Sequence, residues 1–447
     1  MDEMKKQECK NIDLPEGFKI TELGPLPEDW QVVRLGDELI EQKQKNRNEQ
    51  SLPVYTISNV YGFILSDEFF EKQVYSRNLT NYKIVEKGDF AYNPYRVNVG
   101  SLALFRGDNP GLVSPAYTVF RVRSSDRLDP DFLLMLFKSS SLRSEIDRVA
   151  MSRGSVRRSL AYKDLSDFHI PLPPLPEQRA IAHVLRTVQR AKEATERVIQ
   201  ATRELKKSLM RYLFTYGPVS IEEAESVPLK ETEIGLVPEH WEVVRRGEVC
   251  LKPQYGFTAS ATNQRVGPKF LRITDIQNSQ VNWNTVPYCE ISDELLKRYR
   301  LEPGDLLFAR IGATTGKTLL IRECPEAIFA SYLIRVRVNL NLLLPEFLFY
   351  FTQGNLYWSQ INTAKGGRLK QGINIPVLSS LLVPLPPISE QRIIARILEA
   401  VDKKLQVEEA RKQVLDALFN SLLHNLITAK IRVKDLNLYN IDIIQRR

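Results

Sequence analysis

The sequence is poor in the residues that most often carry enzyme chemistry. The chain has 447 residues but only four histidines and four cysteines. No histidine has the HExxH spacing that puts two metal ligands on one helical face, and no GxSxG or GxGxxG motif occurs. These absences favour a binding protein over a catalyst. The histidines are His169, His183, His240 and His424, and the cysteines are Cys9, Cys250, Cys289 and Cys324.

Paired cysteines and long apolar runs are also lacking. Without a Cys-x-x-Cys pair, neither a disulfide framework nor a thiolate metal site is indicated. No apolar run approaches the roughly 18 residues of a membrane span, and the N-terminal MDEMKKQECK is charged, unlike a signal peptide. We therefore expect a cytoplasmic protein with no membrane contact.

Charge points to the class of partner. The chain has 62 Lys and Arg against 54 Asp and Glu, a formal net charge of +8 and a pI near 9.1. This mildly basic balance favours a polyanionic partner such as nucleic acid.

One glycine-rich stretch, GATTGKT at Gly312–Thr318, is similar to a phosphate-binding loop. A P-loop needs four residues between its glycines and a helix after its lysine. Here the spacer has three residues, and Lys317 precedes TLLIRE, an alternating run typical of a strand. We therefore predict a β-hairpin in which Gly312 and Gly316 supply the turn geometry.

The chain contains an internal repeat of about 210 residues. TELGPLPEDWQVVRLGDEL from Thr21 returns as TEIGLVPEHWEVVRRGEVC from Thr232, with ten identities over 19 positions. PLPPLPEQRAIAHVL from Pro171 returns as PLPPISEQRIIARIL from Pro384, with ten identities over 15. Between these anchors the copies diverge. A period this long indicates a duplicated domain-sized module and a pseudo-twofold organisation.

Each module is predicted to be α+β, with short strands, one late helix and a buried tryptophan, Trp30 or Trp241. Proline stands in the first turn of each late helix, at Pro130 and Pro345. The predicted strand runs are LPVYTIS, NYKIV, DFAYN, SLALF and YTVFRVR in the first module and KFLRITDI, DLLFARI, TLLIRE and YLIRVRV in the second.

A long helix is predicted after each module, and the two are expected to pair as an antiparallel coiled coil. In the first helix, apolar or small residues at alternating 3- and 4-residue steps predict a coiled-coil seam, whereas the second helix has apolar ends and a polar middle. The first seam comprises Ile181, Val184, Val188, Ala191, Thr195, Val198, Thr202, Leu205, Leu209 and Tyr212; the second comprises Ile394, Ile397, Val401, Lys404, Glu408, Arg411, Leu415, Leu418 and Leu422.

The expected organisation has seven segments. They are an N-terminal arm (1–20), a first module (21–174), a central helix (175–216), a linker (217–231), a second module (232–387), a distal helix (388–430) and a C-terminal tail (431–447).

Two divergent modules, each closed by PLPP-x-x-EQR-x-I-A at the start of a long helix, resemble the specificity subunit of type I restriction-modification systems. The resemblance covers nearly the whole chain. It implies a non-catalytic subunit whose modules are target recognition domains, each reading half of a bipartite double-stranded DNA site. The helices would then set the gap between half-sites and dock the methyltransferase subunits.

The resemblance also implies the partners and cofactors. Two methyltransferase subunits and, for cleavage, restriction subunits would join the chain. It would hold no cofactor itself, because S-adenosylmethionine, ATP and Mg would lie on those partners. Glu177, Gln178 and Arg179, with Glu390, Gln391 and Arg392, start the two helices and are candidate docking residues. The alternative is that the glutamates complement the helix dipole.

DNA contacts are expected from basic and polar side chains beside glycines, since these suit phosphates and base edges. In the first module the candidates are Lys43, Lys45, Arg47, Arg96, Asn98, Arg153, Arg157 and Arg158. In the second they are Tyr255, Thr258, Ser260, Arg272, Arg310, Thr314, Thr315, Lys317, Lys365, Arg368 and Lys370, with Asp275 beside them.

Two rival functions stay open at this point. One is a nucleotide-hydrolysing enzyme built around Lys317, which a nucleotide-binding assay would test. The other is a coiled-coil scaffold without a nucleic-acid role, which the modest net charge permits.

Overall fold

The chain folds as two units. The computed structural model describes residues 14–58, 62–70, 72, 74–96, 101–152, 159–277, 279–364 and 372–436. Unit 1 consists of residues 1–195 together with 411–447, and unit 2 consists of residues 196–410. Unit 2 is therefore one continuous stretch, whereas unit 1 is assembled from both ends of the chain.

Unit 1 mixes short strands with helices. Its strands are Phe18–Thr21, Gly24–Pro27, Gln31–Arg34, Leu39–Gln42, Tyr55–Ser58, Gly62–Leu65, Lys83–Val85, Asp89–Tyr92, Leu102–Leu104, Gly111–Val113, Thr118–Val122 and His169–Leu172. Its shorter helices are Leu35–Glu38, Ser66–Phe69, Pro130–Lys138, Ser140–Ser152 and Tyr162–Ser166, with a 3-10 turn at Val433–Asp435.

A four-stranded antiparallel sheet forms the centre of unit 1. Its strand order is Leu39–Gln42, Thr118–Val122, Asp89–Tyr92, Leu102–Leu104. Phe90 stacks on Phe120 at 5.1 Å between ring centroids, on the face that packs against Trp30. Val119 belongs to a separate apolar cluster, as the two-residue period of a strand requires. Both faces of the sheet are therefore covered.

Unit 2 is also mixed. Its strands are Leu229–Thr232, Gly235–Pro238, Glu242–Arg245, Gln254–Tyr255, Lys269–Leu271, Ile276–Gln277, Gln280–Val281, Leu306–Ala309, Thr318–Leu320, Ala327–Phe329, Leu333–Val336 and Leu382–Leu385. Its shorter helices are Ile221–Ala224, Arg246–Val249, Asp293–Tyr299, Pro345–Phe351, Asn355–Ala364 and Ile375–Ser380, with a 3-10 turn at Ile273–Asp275.

The central sheet of unit 2 has the same strand order as that of unit 1. The order is Gln254–Tyr255, Leu333–Val336, Leu306–Ala309, Thr318–Leu320. An ion pair between a buried aspartate and a half-buried arginine recurs with it. Arg121 Nε lies 2.8 Å from Asp89 Oδ1 in unit 1, and Arg337 Nε lies 2.5 Å from Asp305 Oδ1 in unit 2. All nine predicted strand runs contain a strand, so that part of the prediction is confirmed.

Each module is closed by a pair of strands from its two ends. Gln31–Arg34 pairs antiparallel with His169–Leu172, and Glu242–Arg245 pairs with Leu382–Leu385. The second strand of each pair leads into a long helix after two intervening residues. The start of the module and the start of its helix are thus joined by backbone hydrogen bonds.

The late helix of each module is in fact two helices, so the prediction of one was wrong. In unit 1 the first begins at Pro130, as predicted, and ends at Lys138. Ser139 has an extended backbone (ψ 146°), and its Oγ accepts a hydrogen bond from Leu142 N at 3.4 Å. A serine that caps a new helix interrupts the old one. In unit 2 the break lies between Phe351 and Asn355.

Two long helices dominate the helical content, at Leu175–Tyr216 and Ile388–Ile427. In unit 1, Lys192 Nζ lies 2.6 Å from Asp416 Oδ1. In unit 2, Arg203 pairs with Glu409 and Lys206 pairs with Asp402, each at 2.6 Å. Within unit 2 the residue numbers rise on one helix as they fall on the other, so the paired segments there are antiparallel.

The predicted seam of the first long helix holds as far as Thr195 and is wrong beyond it. Val198 and Leu205 are 39% and 52% exposed, whereas Ile199 and Met210 are 6% and 9% exposed. The buried positions lie one residue later than predicted. A straight helix drifts by about 20° per heptad from a strict seven-residue repeat, which moves the buried face along the sequence. The polar middle predicted for the second helix includes Glu408, which is buried.

No helix among the described residues is both long enough and apolar enough to cross a membrane.

Candidate nucleic-acid interface

The glycine-rich stretch of unit 2 is the turn of a β-hairpin. Leu306–Ala309 pairs antiparallel with Thr318–Leu320, and the turn closes with Gly316 N donating to Ala309 O at 2.9 Å. Gly312 and Gly316 have φ of 79° and 93°, the left-handed region that favours glycine. A strand, not a helix, follows Lys317. The hairpin prediction is confirmed, and the geometry of a P-loop is absent here.

The side chains of this turn differ in accessibility. Lys317 is exposed and Thr314 is half-buried. Thr315 is 3% exposed, and its hydroxyl donates to Gly312 O at 2.7 Å. Thr315 therefore stabilises the turn in this conformation, and Lys317 is the side chain that the turn presents.

Arg310 lies at the start of the hairpin, in contact with two other segments. Its guanidinium carbon is 4.9 Å from the ring centroid of Tyr255, a cation–π contact. The hydroxyl of Tyr255 accepts a hydrogen bond from Ile375 N at 3.2 Å. Arg310 Nε is buried and has no hydrogen-bond partner among the described residues. The tyrosine thus orients the guanidinium, whose Nη1 also donates to Ser331 O at 3.4 Å.

Three sequence segments that were predicted separately as DNA contacts meet at Arg310. Tyr255 comes from the opening of the module and Arg310 from the hairpin, while Ile373 N donates to Arg310 O at 2.7 Å. A Cβ on Gly372 would lie 2.7 Å from Arg310 O, so the chain after residue 371 needs glycine there. Gly372 and Ile373, from the third of these segments, thus lie against Arg310.

One exposed aromatic beside Arg310 was missed from the sequence. Tyr332, 51% exposed, lies in the turn between Ala327–Phe329 and Leu333–Val336 and accepts a hydrogen bond from Arg310 N through its carbonyl, at 3.0 Å. It is flanked by strand residues in FASYLIRV, so the pattern there resembles a continuous strand. An exposed aromatic ring beside an arginine is suited to nucleic-acid contact.

The other candidates of the second module divide into free and occupied side chains. Thr258 and Ser260 are exposed. Arg272 is bound to Asp275, with Nε–Oδ2 at 3.0 Å and Nη2–Oδ1 at 2.7 Å. The hydrogen bonds that Arg272 donates to Asp275 raise the pKa of the guanidinium. This bidentate pair gives Arg272 a structural role at the 3-10 turn.

The basic segment of the first module follows the edge strand of its central sheet, whereas Tyr255 is the last residue of the corresponding strand in the second. Lys43 is exposed, and its Nζ lies 2.9 Å from Glu41 Oε2. Lys45 is half-buried, and its backbone forms an antiparallel β-bridge with Lys83. Of the three, Arg47 is exposed and has no ion-pair partner among the described residues.

The hairpin of the first module presents different groups from that of the second. Arg96 is exposed, as is its neighbour Tyr95, which the sequence reading missed. Ser101, which corresponds to Lys317, is buried, and its hydroxyl donates to Ile57 O at 3.4 Å. The two hairpins therefore offer distinct contacts on the same sheet framework.

Seven DNA-contact candidates lie outside the described residues. They are Asn98, Arg153, Arg157, Arg158, Lys365, Arg368 and Lys370.

Glu177, at the start of the first long helix, is bound within unit 1. Its Oε2 accepts a hydrogen bond from the indole of Trp30 at 3.0 Å, and both of its oxygens lie 2.6 Å from Arg432. Arg432 also binds Asp29 and thereby lowers the pKa of that carboxyl. The glutamate thus joins the buried tryptophan, the helix and the C-terminal segment of the unit.

Gln178 is 1% exposed and has an equally complete set of partners. Its Oε1 accepts from Asp129 N at 2.8 Å, and its Nε2 donates to Arg127 O and Pro173 O, both at 2.9 Å. Arg179, by contrast, has a side chain that is 60% exposed.

The second module repeats these contacts. Trp241 Nε1 donates to Glu390 Oε2 at 2.9 Å. His240 Nε2 lies 2.8 Å from Glu390 Oε1, the place that Arg432 occupies beside Glu177 in the first module. Gln391 is fully buried, accepts from Leu344 N at 2.8 Å and donates to Leu342 O and Pro386 O. Arg392 is exposed. In both modules the Glu and Gln of the motif therefore act inside the module, and the buried glutamines offer a partner no free polar atom. We correct the docking assignment of Gln178 and Gln391 accordingly.

No group of three metal-ligating side chains is found in the part of the chain that is described. Cys250, Cys289 and Cys324 are free thiols, and burial raises the pKa of Cys289 to about 11. These cysteines are structural rather than reactive groups.

Comparison with known families identifies the two modules. The family model for the type I restriction modification DNA specificity domain matches residues 27–203 and, a second time, residues 238–417. The chain belongs to the type I restriction-modification DNA specificity family. As a specificity subunit it is a DNA-recognition component and not itself an enzyme, and neither rival function is supported.

Relatives match this specificity subunit over nearly its full length. The type I restriction enzyme MjaVIII specificity subunit of Methanocaldococcus jannaschii is 27% identical over 432 residues, covering 94% of this chain and 97% of the relative. The putative MjaX specificity subunit of the same organism is 26% identical with the same coverage. The crystal structure of a type I restriction-modification S subunit from M. genitalium has a TM-score of 0.59 and 15% identity, covering 93% of this chain and 98% of that one.

Proposed function

We propose that this specificity subunit reads a split DNA target, with one module contacting each half of the site. The long helices, paired as an antiparallel coiled coil, would set the gap between the half-sites and dock two methyltransferase subunits. The duplicated family match and the identical order of the two central sheets support this proposal.

One repeated observation carries the proposal: each module is fixed to the start of its own long helix. The contacts Trp30–Glu177 and Trp241–Glu390 join a buried indole to the first turn of the helix. The strand pairing at the module ends adds a backbone connection. Because the helix cannot pivot freely on its module, helix length becomes a determinant of half-site spacing.

Base reading in the second module is assigned to the cluster around Arg310. The Tyr255 ring orients the guanidinium, and an oriented arginine suits the O6 and N7 acceptors of guanine in the major groove. Lys317 and the loop at 365–371 would contact phosphates beside it. In the first module the exposed Arg47 and Arg96 have the corresponding roles.

The docking surface for methyltransferase subunits is assigned to the exposed faces of the long helices. Arg179 and Arg392 each follow the buried glutamine of the motif and are exposed. One such arginine per module fits one methyltransferase subunit per module. Adenine N6 methylation with S-adenosylmethionine, and ATP-dependent cleavage by restriction subunits, would belong to these partners in the cytoplasm.

The experiment is to express this chain with the methyltransferase subunit from its own source and to map N6-methyladenine across the host genome by long-read sequencing. The expected result is a split motif with two short specific blocks around a fixed unspecified gap. Continuous or absent methylation, with both subunits folded and associated, would contradict the proposal.

The same experiment tests the assignment of Arg310. Arg310→Ala is expected to relax one block of the motif at one position, by about 1–3 kcal/mol of discrimination, and to leave the other block unchanged. Arg245→Ala removes the same charge from an exposed strand position of the second module and serves as the control. Equal effects of the two variants would show that Arg310 contributes only charge.

A further inference from the structure

Unit 1 contains a cavity of about 480 Å³ that the DNA-reading loops do not use. It lies between the edge strand Leu102–Leu104, the helices Pro130–Lys138 and Ser140–Ser152, and the first long helix near residues 186–193. Its volume is in the range of small-molecule sites. The cavity has two chemically different walls.

One wall is cationic. Five basic side chains and a single carboxylate, Glu193, line the cavity. Two of the basic side chains, Arg106 and Arg186, share the carboxylate of Asp131 outside it. The other three, Lys138, Arg143 and Arg190, have no ion-pair partner among the described residues. Burial lowers the pKa of Lys138.

Another part of the lining is aromatic. Tyr55, Phe63 and Phe105 meet edge to face, with centroid separations of 5.1 to 6.3 Å. Phe105 is buried, whereas Tyr55 and Phe63 are half-buried and line the cavity. A cavity lined by aromatic rings and by uncompensated cations is complementary to a ring that bears an anionic group.

The second module has neutralised the corresponding cations. When the glutamines of the two EQR motifs are aligned, Arg186 corresponds to Glu399. Glu399 Oε1 lies 3.6 Å from Nη1 of Arg322, and Arg322 is the counterpart of Arg106. Counting from the paired prolines, Lys138 corresponds to Gln353, which accepts a hydrogen bond from Lys206 at 2.9 Å. The same framework thus carries uncompensated positive charge in the first module and paired charge in the second.

We propose that this cavity binds a nucleoside phosphate, with the phosphate held by Lys138, Arg143 and Arg190 and the base against Tyr55 and Phe63. Duplex DNA presents its phosphates on a convex backbone with the bases stacked inside, so it does not supply a ring and a phosphate together to a recess of this size. The site is separate from the Gly312–Thr318 hairpin and implies no hydrolysis.

The test is titration calorimetry on the full-length chain without partner subunits, in magnesium-free buffer of low ionic strength. The probes are AMP, ADP, ATP, adenosine and inorganic phosphate, each up to about 1 mM, a range that detects modest affinities. The nucleotides are expected to bind at least about tenfold more tightly than adenosine or phosphate, since only they engage both walls.

Three variants assign the binding to this cavity. Lys138→Gln introduces the residue of the second module, and the double variant Arg143→Gln/Arg190→Gln removes two exposed charges. Each is expected to weaken nucleotide binding about tenfold or more while leaving the thermal midpoint unchanged. Phe63→Leu is expected to weaken nucleotide binding but not phosphate binding. Lys163→Gln, which removes an exposed lysine elsewhere in unit 1, is the control and should bind as the parent chain does.

Several results would overturn the proposal. They are no heat from any nucleotide, phosphate binding as tightly as AMP, or affinities that Lys138→Gln and Lys163→Gln reduce equally. None of these results bears on DNA recognition, which the methylation map tests independently.

Discussion

Arg246 is a buried arginine at a position where the first module has a leucine. Leu35 and Arg246 each begin a short helix after the first strand of the pair that closes the module. Leu35 N donates to Phe168 O and Arg246 N donates to Leu381 O, both at 2.8 Å, just before the second strand of the pair. Arg246 is 1% exposed, and its Nη1 and Nη2 have no hydrogen-bond partner in the described structure. Burial lowers the pKa of this guanidinium.

Arg246→Leu is therefore expected to stabilise unit 2 by about 1–4 kcal/mol, the range seen when buried charges are replaced by apolar groups. The reverse change, Leu35→Arg, should destabilise unit 1 by about 3 kcal/mol or more, because it buries a new charge without a partner. Hydrogen exchange resolved by peptide separates the two units in one measurement. A loss of protection in the Arg246→Leu chain would mean that the contacts with Leu378 O and the Phe308 ring outweigh desolvation.

At the residue scale, the sequence was a better guide to which side chains make important contacts than to the role of each contact. The repeated EQR motif singled out Glu177 and Gln178, but the partner Trp30 is 147 residues from Glu177 along the chain. No local pattern encodes such a contact. Arg310 was identified from its charge beside glycines, whereas its orientation by Tyr255 depends on tertiary packing.

At the scale of elements, a residue with a strained backbone follows the end of the second long helix. Ala429 follows the helix with φ of 55°, a left-handed conformation, and Ile431 N donates back to Asn425 O at 3.2 Å. Such a helix end usually carries glycine, because a Cβ costs about 1 kcal/mol in this conformation.

Ala429→Gly is expected to change the free energy of unfolding of unit 1 by less than about 1 kcal/mol, because relief of the left-handed strain offsets the loss of a methyl group that is 2% exposed. The matched control is Ala417→Gly at an exposed position inside the same helix and the same unit, where no strain is relieved and the identical change should lower stability by about 1 kcal/mol. Urea denaturation of the three chains measures both shifts. A loss at Ala429 as large as that at Ala417 would show that the end of the helix is not strained.

Elements were predictable where a pattern is local. Apolar runs predicted the nine strands, and the proline-rich stops coincide with the starts of the long helices at Leu175 and Ile388. The break at Ser139 was missed because serine is common both inside and between helices. The seam was misplaced beyond Thr195 because a heptad count ignores the true helical period.

At the scale of the whole molecule, the proposed function predicts that helix length sets the gap in the DNA target. Inserting seven residues in each long helix, after Thr195 and after Ala410, preserves helical phase and adds about 10 Å. That is about three base pairs at 3.4 Å each. The gap in the methylation map should lengthen accordingly while both specific blocks stay the same.

The control for this insertion adds the same seven residues to the linker at 217–231, which should leave the gap unchanged. A gap that stays constant in the helix-insertion chain, with methylation retained, would exclude the helices as the determinant of spacing.

The discontinuity of unit 1 was not predictable, because the sequence repeat suggests two consecutive domains. Unit 1 instead recruits residues 411–447. Phe419, Leu423, Leu426 and Val433 belong to the same apolar cluster as Trp30. The last part of the sequence therefore completes the core of the first module.

This arrangement has a consequence for biosynthesis. As the ribosome releases the chain from its N-terminus, the first module emerges early but lacks the apolar residues that cover its core. Unit 2 is continuous and can complete its fold once residue 410 is free. The N-terminal half must then wait, partly uncovered, until residues 419–433 arrive, so nascent chains and products of premature termination should expose the first recognition module to chaperones and proteases while the second is already closed.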